Sequence, residues 1–174
     1  MGKSDRKELV LPGKTAALFC DAVQYGEFIF TSGIVARNPD SSVFAPGDAE
    51  AQTRFIFRSI SDILAMADST FQDIVKMTIY VRNMEDRLKI NPLREEFFKG
   101  ARPASTVVEV SKLAHSDLMV EVEVVAVAGS RMDNLKDTLK KTVSSVSKAV
   151  TDKEKAKPKE KVRKVKVPKD LEIE

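Results

Sequence analysis

The sequence predicts one α+β domain over about residues 8–129, a mixed sheet with two helices packed on one face. Three observations predict it. Apolar residues recur at steps of three and four after Asp48, the period of a helix with one buried side. The spacing changes to two over Ile74–Val81 and again over Leu118–Ala128, as strands require. Clusters of turn-forming residues separate these stretches, giving the order β-β-α-β-α-β-β with a further strand at Glu8–Leu11.

Each element has its own reasons. Cys20–Tyr25 and Phe28–Ser32 flank Gly26-Glu27, which reads as a hairpin with a tight turn. Asn38–Ser42 is a turn cluster. Asp48 caps the first helix, and Glu50 sits in its first turn, where the helix dipole favours a negative charge. Phe55, Ile56, Ile60, Ile63, Leu64 and Ala67 form its apolar face, and Asp68-Ser69-Thr70 ends it. In the following strand Val75, Met77, Ile79 and Val81 are expected on one side, with Lys76, Thr78 and Tyr80 on the other. The second helix, Met84–Lys99, should turn Met84, Leu88, Leu93 and Phe97 inward. Pro92 should kink it or begin a new helical segment, and Gly100 and Pro103 stop it. Ser105–Val110 and Leu118–Ala128 complete the sheet. Val120, Val122, Val124 and Ala126 alternate with Glu121, Glu123, Val125 and Val127, so the sheet's second face is also partly apolar. A lone copy would leave that face wet, which points to oligomerisation through the sheet.

Charge divides the chain in two. Residues 1–130 hold 15 Lys/Arg and 18 Asp/Glu, and the remaining residues hold 14 and 8, so the excess of positive charge belongs to the tail. Met132, Leu135, Leu139, Val143, Val146 and Val150 draw a narrow seam on an expected helical extension over residues 130–150. Residues 151–174, rich in Lys, Glu, Pro and Val, read as disordered. One cysteine and one histidine exclude an intrachain disulfide and a cysteine- or histidine-rich metal site. Neither phosphate-cradling glycine motif occurs. The charged N-terminus has no apolar stretch behind it, and no run is long enough to span a bilayer, so a cytoplasmic protein without membrane contact is expected.

Six pieces occur in order at familiar spacing: Thr31-Ser32-Gly33, Asp48–Gln52, Asp73–Thr78, Ile90-Asn91-Pro92 with Phe97-Phe98, Arg102-Pro103-Ala104, and Val120–Glu123. Across roughly 120 residues they resemble the reactive-intermediate deaminase family, also known as the Rid or YjgF type. The resemblance implies a chorismate-mutase-like subunit and a homotrimer whose sheets form a central barrel. It also implies clefts for small-molecule metabolites between subunits. Members with the full site hydrolyse 2-imino and enamino acids to 2-keto acids and ammonia, with no metal or bound cofactor.

The same resemblance implies the site residues. Glu121 matches the cleft carboxylate that orients water or transfers a proton. Ser32, Asn91 and the backbone around Thr106 and Val107 match ligand contacts. Two positions depart from the pattern. Ser105 stands where the family has an arginine that grips the substrate carboxylate in a bidentate pair, and Phe19 stands at the cleft tyrosine. Arg102 lies three residues upstream and is the nearest substitute cation in sequence. Read without the resemblance, Ser32 is a turn serine, Asn91 a helix cap and Glu123 a solvated sheet residue. A second functional reading is a non-catalytic interaction or RNA-binding protein with the tail lysines as its contact arm. Glu154 and Glu160 interrupt those lysines and the tail has no aromatic residue for stacking, which favours a solvated tail.

Overall fold

A computed structural model of the chain describes residues 5–12, 18–129 and 142–145. Seven strands and two α-helices occur in the described part: β1 (Arg6–Leu9), β2 (Ala22–Tyr25), β3 (Phe28–Thr31), β4 (Ile34–Val35), α1 (Ala49–Ala65), β5 (Ile74–Val81), α2 (Arg87–Phe98), β6 (Ala104–Glu109) and β7 (Val120–Val127). One sheet contains all the strands in the order β1-β2-β3-β7-β5-β6, with β4 also pairing to β7. All pairs are antiparallel except β5 with β6. β6 is an edge strand, bonded on one side only.

The hairpin is as expected: Tyr25 pairs with Phe28, and Gly26 takes a φ of +57° that suits a residue without Cβ. Asp48 caps α1 by accepting the Ala51 N–H at 3.0 Å. Both helices cover the same sheet face. Ile56, Phe57, Ile60, Ile63 and Leu64 of α1, with Ile90, Leu93 and Phe98 of α2, meet Ile29, Ile34, Met77, Ile79, Val81, Val120, Val122, Val124 and Ala126 in a single core. Phe57 also joins Phe71, Phe97 and Phe98 in an aromatic cluster with ring centres 4.7–5.3 Å apart. Gln52 is fully buried among apolar neighbours because its amide is fully used. It donates to the carbonyls of Ala45 and Asp117 and accepts the Met119 N–H, tying two loops to α1.

Four expectations need correction. Val75 does not share a side with Met77. A bulge between Ile74 and Lys76 inserts one residue, so Ile74 is buried and Val75 is 44% exposed. Leu88 is 73% exposed, because the α-helix starts only at Arg87 and its inward positions are Ile90, Leu93 and Phe98. Pro92 does not start a segment. The break falls earlier, where a 3-10 turn at Met84–Asp86 gives way to α2, and Pro92 lies inside the helix on its exposed side. Asn91 is consequently not a cap; Asn83 is, accepting the Glu85 N–H at 2.9 Å. The two-residue strand β4 was not expected.

Thr142–Ser145 are helical and exposed. The rest of the expected seam at residues 130–150 and the lysine-rich stretch at residues 151–174 lie outside the described residues. Among the described residues no helix is long and apolar enough to cross a membrane.

Candidate active site

The run from β3 to β4 is one interrupted strand. Phe28–Phe30 pair with Val125–Val127, and Ile34-Val35 pair with Glu121-Val122, so Thr31, Ser32 and Gly33 bow away between them. The N–H of Val124 that this interruption would orphan is accepted by the Thr31 hydroxyl at 2.9 Å. Ser32 faces the other way along the chain. Its hydroxyl donates to the Cys20 carbonyl at 2.7 Å and its N–H to the Asp21 carbonyl at 2.8 Å. Gly33 is left directly against the Glu121 side chain.

Glu121 projects from β7 on the face opposite the helices, since its neighbours Val120 and Val122 are buried in the core. It is half-buried, and burial followed by the nearby charge of Glu123 raises its pKa above the usual carboxylate range. Its lateral neighbours are Val35 on β4 and Tyr80 on β5. The Tyr80 hydroxyl donates to Glu123 Oε1 at 3.2 Å, and burial together with that carboxylate raises the phenol's pKa.

Register places the rest of this face in rows. Glu121, Tyr80 and Val108 form one row, and Glu123, Thr78 and Thr106 the next. The Lys76 ammonium donates to the Thr106 hydroxyl. A cavity of about 160 Å3 opens there, lined by Phe30, Thr31, Lys76, Thr78, Glu123, Val124 and Val125. A larger, shallow depression of about 440 Å3 near Lys7, Glu27 and Asp68, at the opposite end of β7, contains none of the expected site residues.

The expected residues fall into separate groups in one chain. Ser32 and Gly33 lie beside Glu121 where β3 gives way to β4. Phe19 is 73% exposed, just ahead of Cys20, whose carbonyl Ser32 holds. Ser105 and Val107 share register and side with Met77 and Ile79, so they point towards the helix layer at the edge strand, whereas Thr106 points to the open face. Asn91, on α2, is exposed and accepts a long 3.4 Å bond from Arg94. Arg102 is exposed ahead of β6. Two strand spacings, roughly 10 Å, separate β7 from β6. Glu121 and the Ser105 side chain therefore do not meet within a single chain. Sequence reasoning placed Lys76 and Tyr80 on the polar side of β5 but named neither of them, nor Thr31, as a site residue. The polar phase of β5 by itself says only that Lys76 and Tyr80 avoid the core.

A sequence model of the family described as Endoribonuclease L-PSP matches residues 12–128. The 3-aminoacrylate deaminase RutC of Acinetobacter baylyi is 32% identical over 123 residues, covering 69% of this chain and 97% of that protein. The mouse 2-iminobutanoate/2-iminopropanoate deaminase is 30% identical over 111 residues, covering 64% of this chain and 82% of the relative. Among solved structures, the Rid-family protein YyfA of Yersinia pestis aligns with a TM-score of 0.65 at 29% identity, over 71% of this chain and 99% of its own. With two-thirds of its length inside the family's pattern and the same sheet and helices, this chain belongs to the Endoribonuclease L-PSP family, the family also called Rid or YjgF.

Proposed function

We propose that the protein binds small carboxylate or carbonyl metabolites in clefts between copies of itself and hydrolyses the C=N bond of 2-imino and enamino acids. The observation that carries this reading is the half-buried Glu121 seated against Gly33, in a chain whose relatives include two deaminases of imino and aminoacrylate compounds. An enamine first tautomerises to the imine, whose carbon is already electrophilic. Water adds there, one of its protons passing to Glu121 and then to nitrogen. The hydroxyl proton of the resulting amino alcohol then passes, again through Glu121, to the nitrogen; the C–N bond breaks, ammonia leaves, and the hydroxyl oxygen becomes the keto oxygen. A carboxyl with a raised pKa suits this exchange, because it takes and returns a proton near neutral pH at a smaller cost than an ordinary glutamate.

The geometry of one chain supports a shared cleft. Glu121 and Ser105 lie on opposite faces, two strands apart, so a ligand touching both positions needs a second copy to supply one of them. The apolar open face, with Phe28 and Phe30 about half exposed, gives a second reason for assembly, here read as a homotrimer. Ser105 offers a hydroxyl where a guanidinium would hold a carboxylate, which weakens binding of anionic substrates roughly ten- to a hundredfold.

The test is a coupled assay. A pyridoxal-phosphate enzyme generates 2-aminoacrylate, and ammonia and keto acid are followed with and without this protein. Acceleration that disappears in Glu121→Gln is expected. Release at the uncatalysed rate, with trimeric wild-type protein in excess, would remove the assignment. RNA is the competing ligand that the family's description suggests, and RNA cleavage by the same preparation, absent from Glu121→Gln or not, is the parallel assay.

A further inference from the structure

Gly33 is not a glycine for the sake of its backbone. Its φ lies outside the left-handed region, so an L-residue would adopt the same conformation. What a side chain would lack is room. A Cβ at position 33 would stand 1.9 Å from Glu121 Oε1, 2.8 Å from Cδ and 3.2 Å from Cγ. The Glu121 carboxyl occupies the space that any other residue would fill.

That seat removes part of the carboxylate's hydration. Glu123 adds to the effect. Two residues along the same strand face puts it roughly 7 Å away, and the Tyr80 hydroxyl holds it in place at 3.2 Å. The other charged or titratable groups on the adjoining elements are Lys76 and Tyr80 on β5, Arg82 just past the end of β5, and Arg37 past β4; the Lys76 ammonium donates to the Thr106 hydroxyl. Neither arginine pairs with Glu121: Arg37 donates to the Ser41 carbonyl, and Arg82 Nε has no hydrogen-bond partner.

We propose that Gly33 and Glu123 are positioning residues for Glu121, the first by leaving the space that seats its carboxyl and the second by keeping a like charge beside it. This deepens the hydrolytic reading and rests on Glu121 as its proton-transfer group. Together the two residues keep that carboxyl able to hold a proton at a pH where an exposed glutamate has lost it.

The experiment follows Glu121 directly. Full-length protein carrying 13C at the glutamate carboxyls is titrated by NMR, with Glu121→Gln assigning the resonance. Glu123→Gln should lower the midpoint of Glu121 by removing the like charge, and Glu123→Asp should keep most of the elevation. Gly33→Ala should also lower it, by turning the carboxyl out to water. The pH profile of hydrolysis should move in the same direction as the midpoint. Glu123→Gln alters no packing volume, so it decides the role of Glu123 even where Gly33→Ala folds poorly, and a wild-type Glu121 midpoint no higher than that of an exposed glutamate overturns the Gly33 seat. A Glu121 midpoint unchanged in Glu123→Gln overturns the role of Glu123, and one unchanged in folded Gly33→Ala overturns that of Gly33. Midpoints that move as stated in a protein without imino-acid hydrolysis uphold the positioning and remove the assigned reaction. Static midpoints alongside normal hydrolysis do the reverse.

Discussion

Gln52 shows how a polar side chain can belong to a core. Its amide adds a bond to two loop carbonyls that each already accept a backbone N–H, and it takes the Met119 N–H. Gln52→Leu keeps the bulk, strands the Met119 N–H and removes one bond from each carbonyl, so a loss of about 2 kcal/mol is expected in urea unfolding, with the slope unchanged. Glu121 makes a prediction of opposite character. A carboxyl whose pKa is raised by folding favours the native state when protonated, so its contribution is full below the unfolded-state pKa and is lost as pH rises through the folded one. The wild type should therefore lose stability relative to Glu121→Gln between acid and neutral pH, read from unfolding curves at each pH. Ser105→Arg, which restores the family's cation, should lower the KM for anionic imino acids roughly ten- to a hundredfold in the coupled assay. An unchanged KM would mean that another group already holds the carboxylate. At this scale the sequence was only partly legible. The match to Glu121 rested on its motif, but nothing in a string of residues says that Gly33 is small to admit a carboxyl. Gln52 was passed over because a polar residue beside an apolar stripe normally faces water.

Strand β5 shows why elements are read more easily than their phase. Its limits, Ile74–Val81, are those the alternation predicts, yet Ile74 and Val75 are both apolar, and Val75, the one extra residue between Ile74 and Lys76, leaves no mark on the pattern. The bulge makes a sharp contrast. Val75→Thr should cost less than about 0.5 kcal/mol, as surface changes do, while Met77→Ala should cost about 2–5 kcal/mol through the cavity it opens. Comparable losses in thermal unfolding would place Val75 in the core and deny the bulge. The same reasoning explains Leu88. The apolar step from Met84 assumed one continuous α-helix, but the first three residues wind as a 3-10 turn and reset the phase at Arg87. β4 was invisible for a different reason: two residues are too few for any period, and only the pairing with Glu121-Val122 makes it a strand.

Among the described residues up to Gly129, the fold is a two-layer sandwich with helices on one face of the sheet only. Residues on the other face divide into an apolar part, Phe28, Phe30, Val125 and Val127, and a polar part running from Lys76 to Glu121. A second copy seated on the apolar part would remove it from water at about 25 cal/mol per Å2. Phe30→Glu should abolish assembly, and sedimentation should then give a single-copy mass together with the loss of imine hydrolysis. A monomer that still turns over would show that the cleft needs no neighbour. Overall architecture was the most legible layer, because helix and strand periods and their order depend on many residues at once, and no single substitution erases them. The proposed cleft was the least legible, because Glu121 and Ser105 lie on strands and faces that one chain keeps apart.

Strand β6 gives the sheet a further property. Bonded to β5 along one margin, it turns the amides and carbonyls of its other margin outward over six residues. Such a margin is a template for any extended peptide that reaches it, including another unfolded copy of the same chain. Assembly through the open face would leave that margin's hydrogen bonds untouched, so fibrillar growth along it is a hazard that rises with concentration.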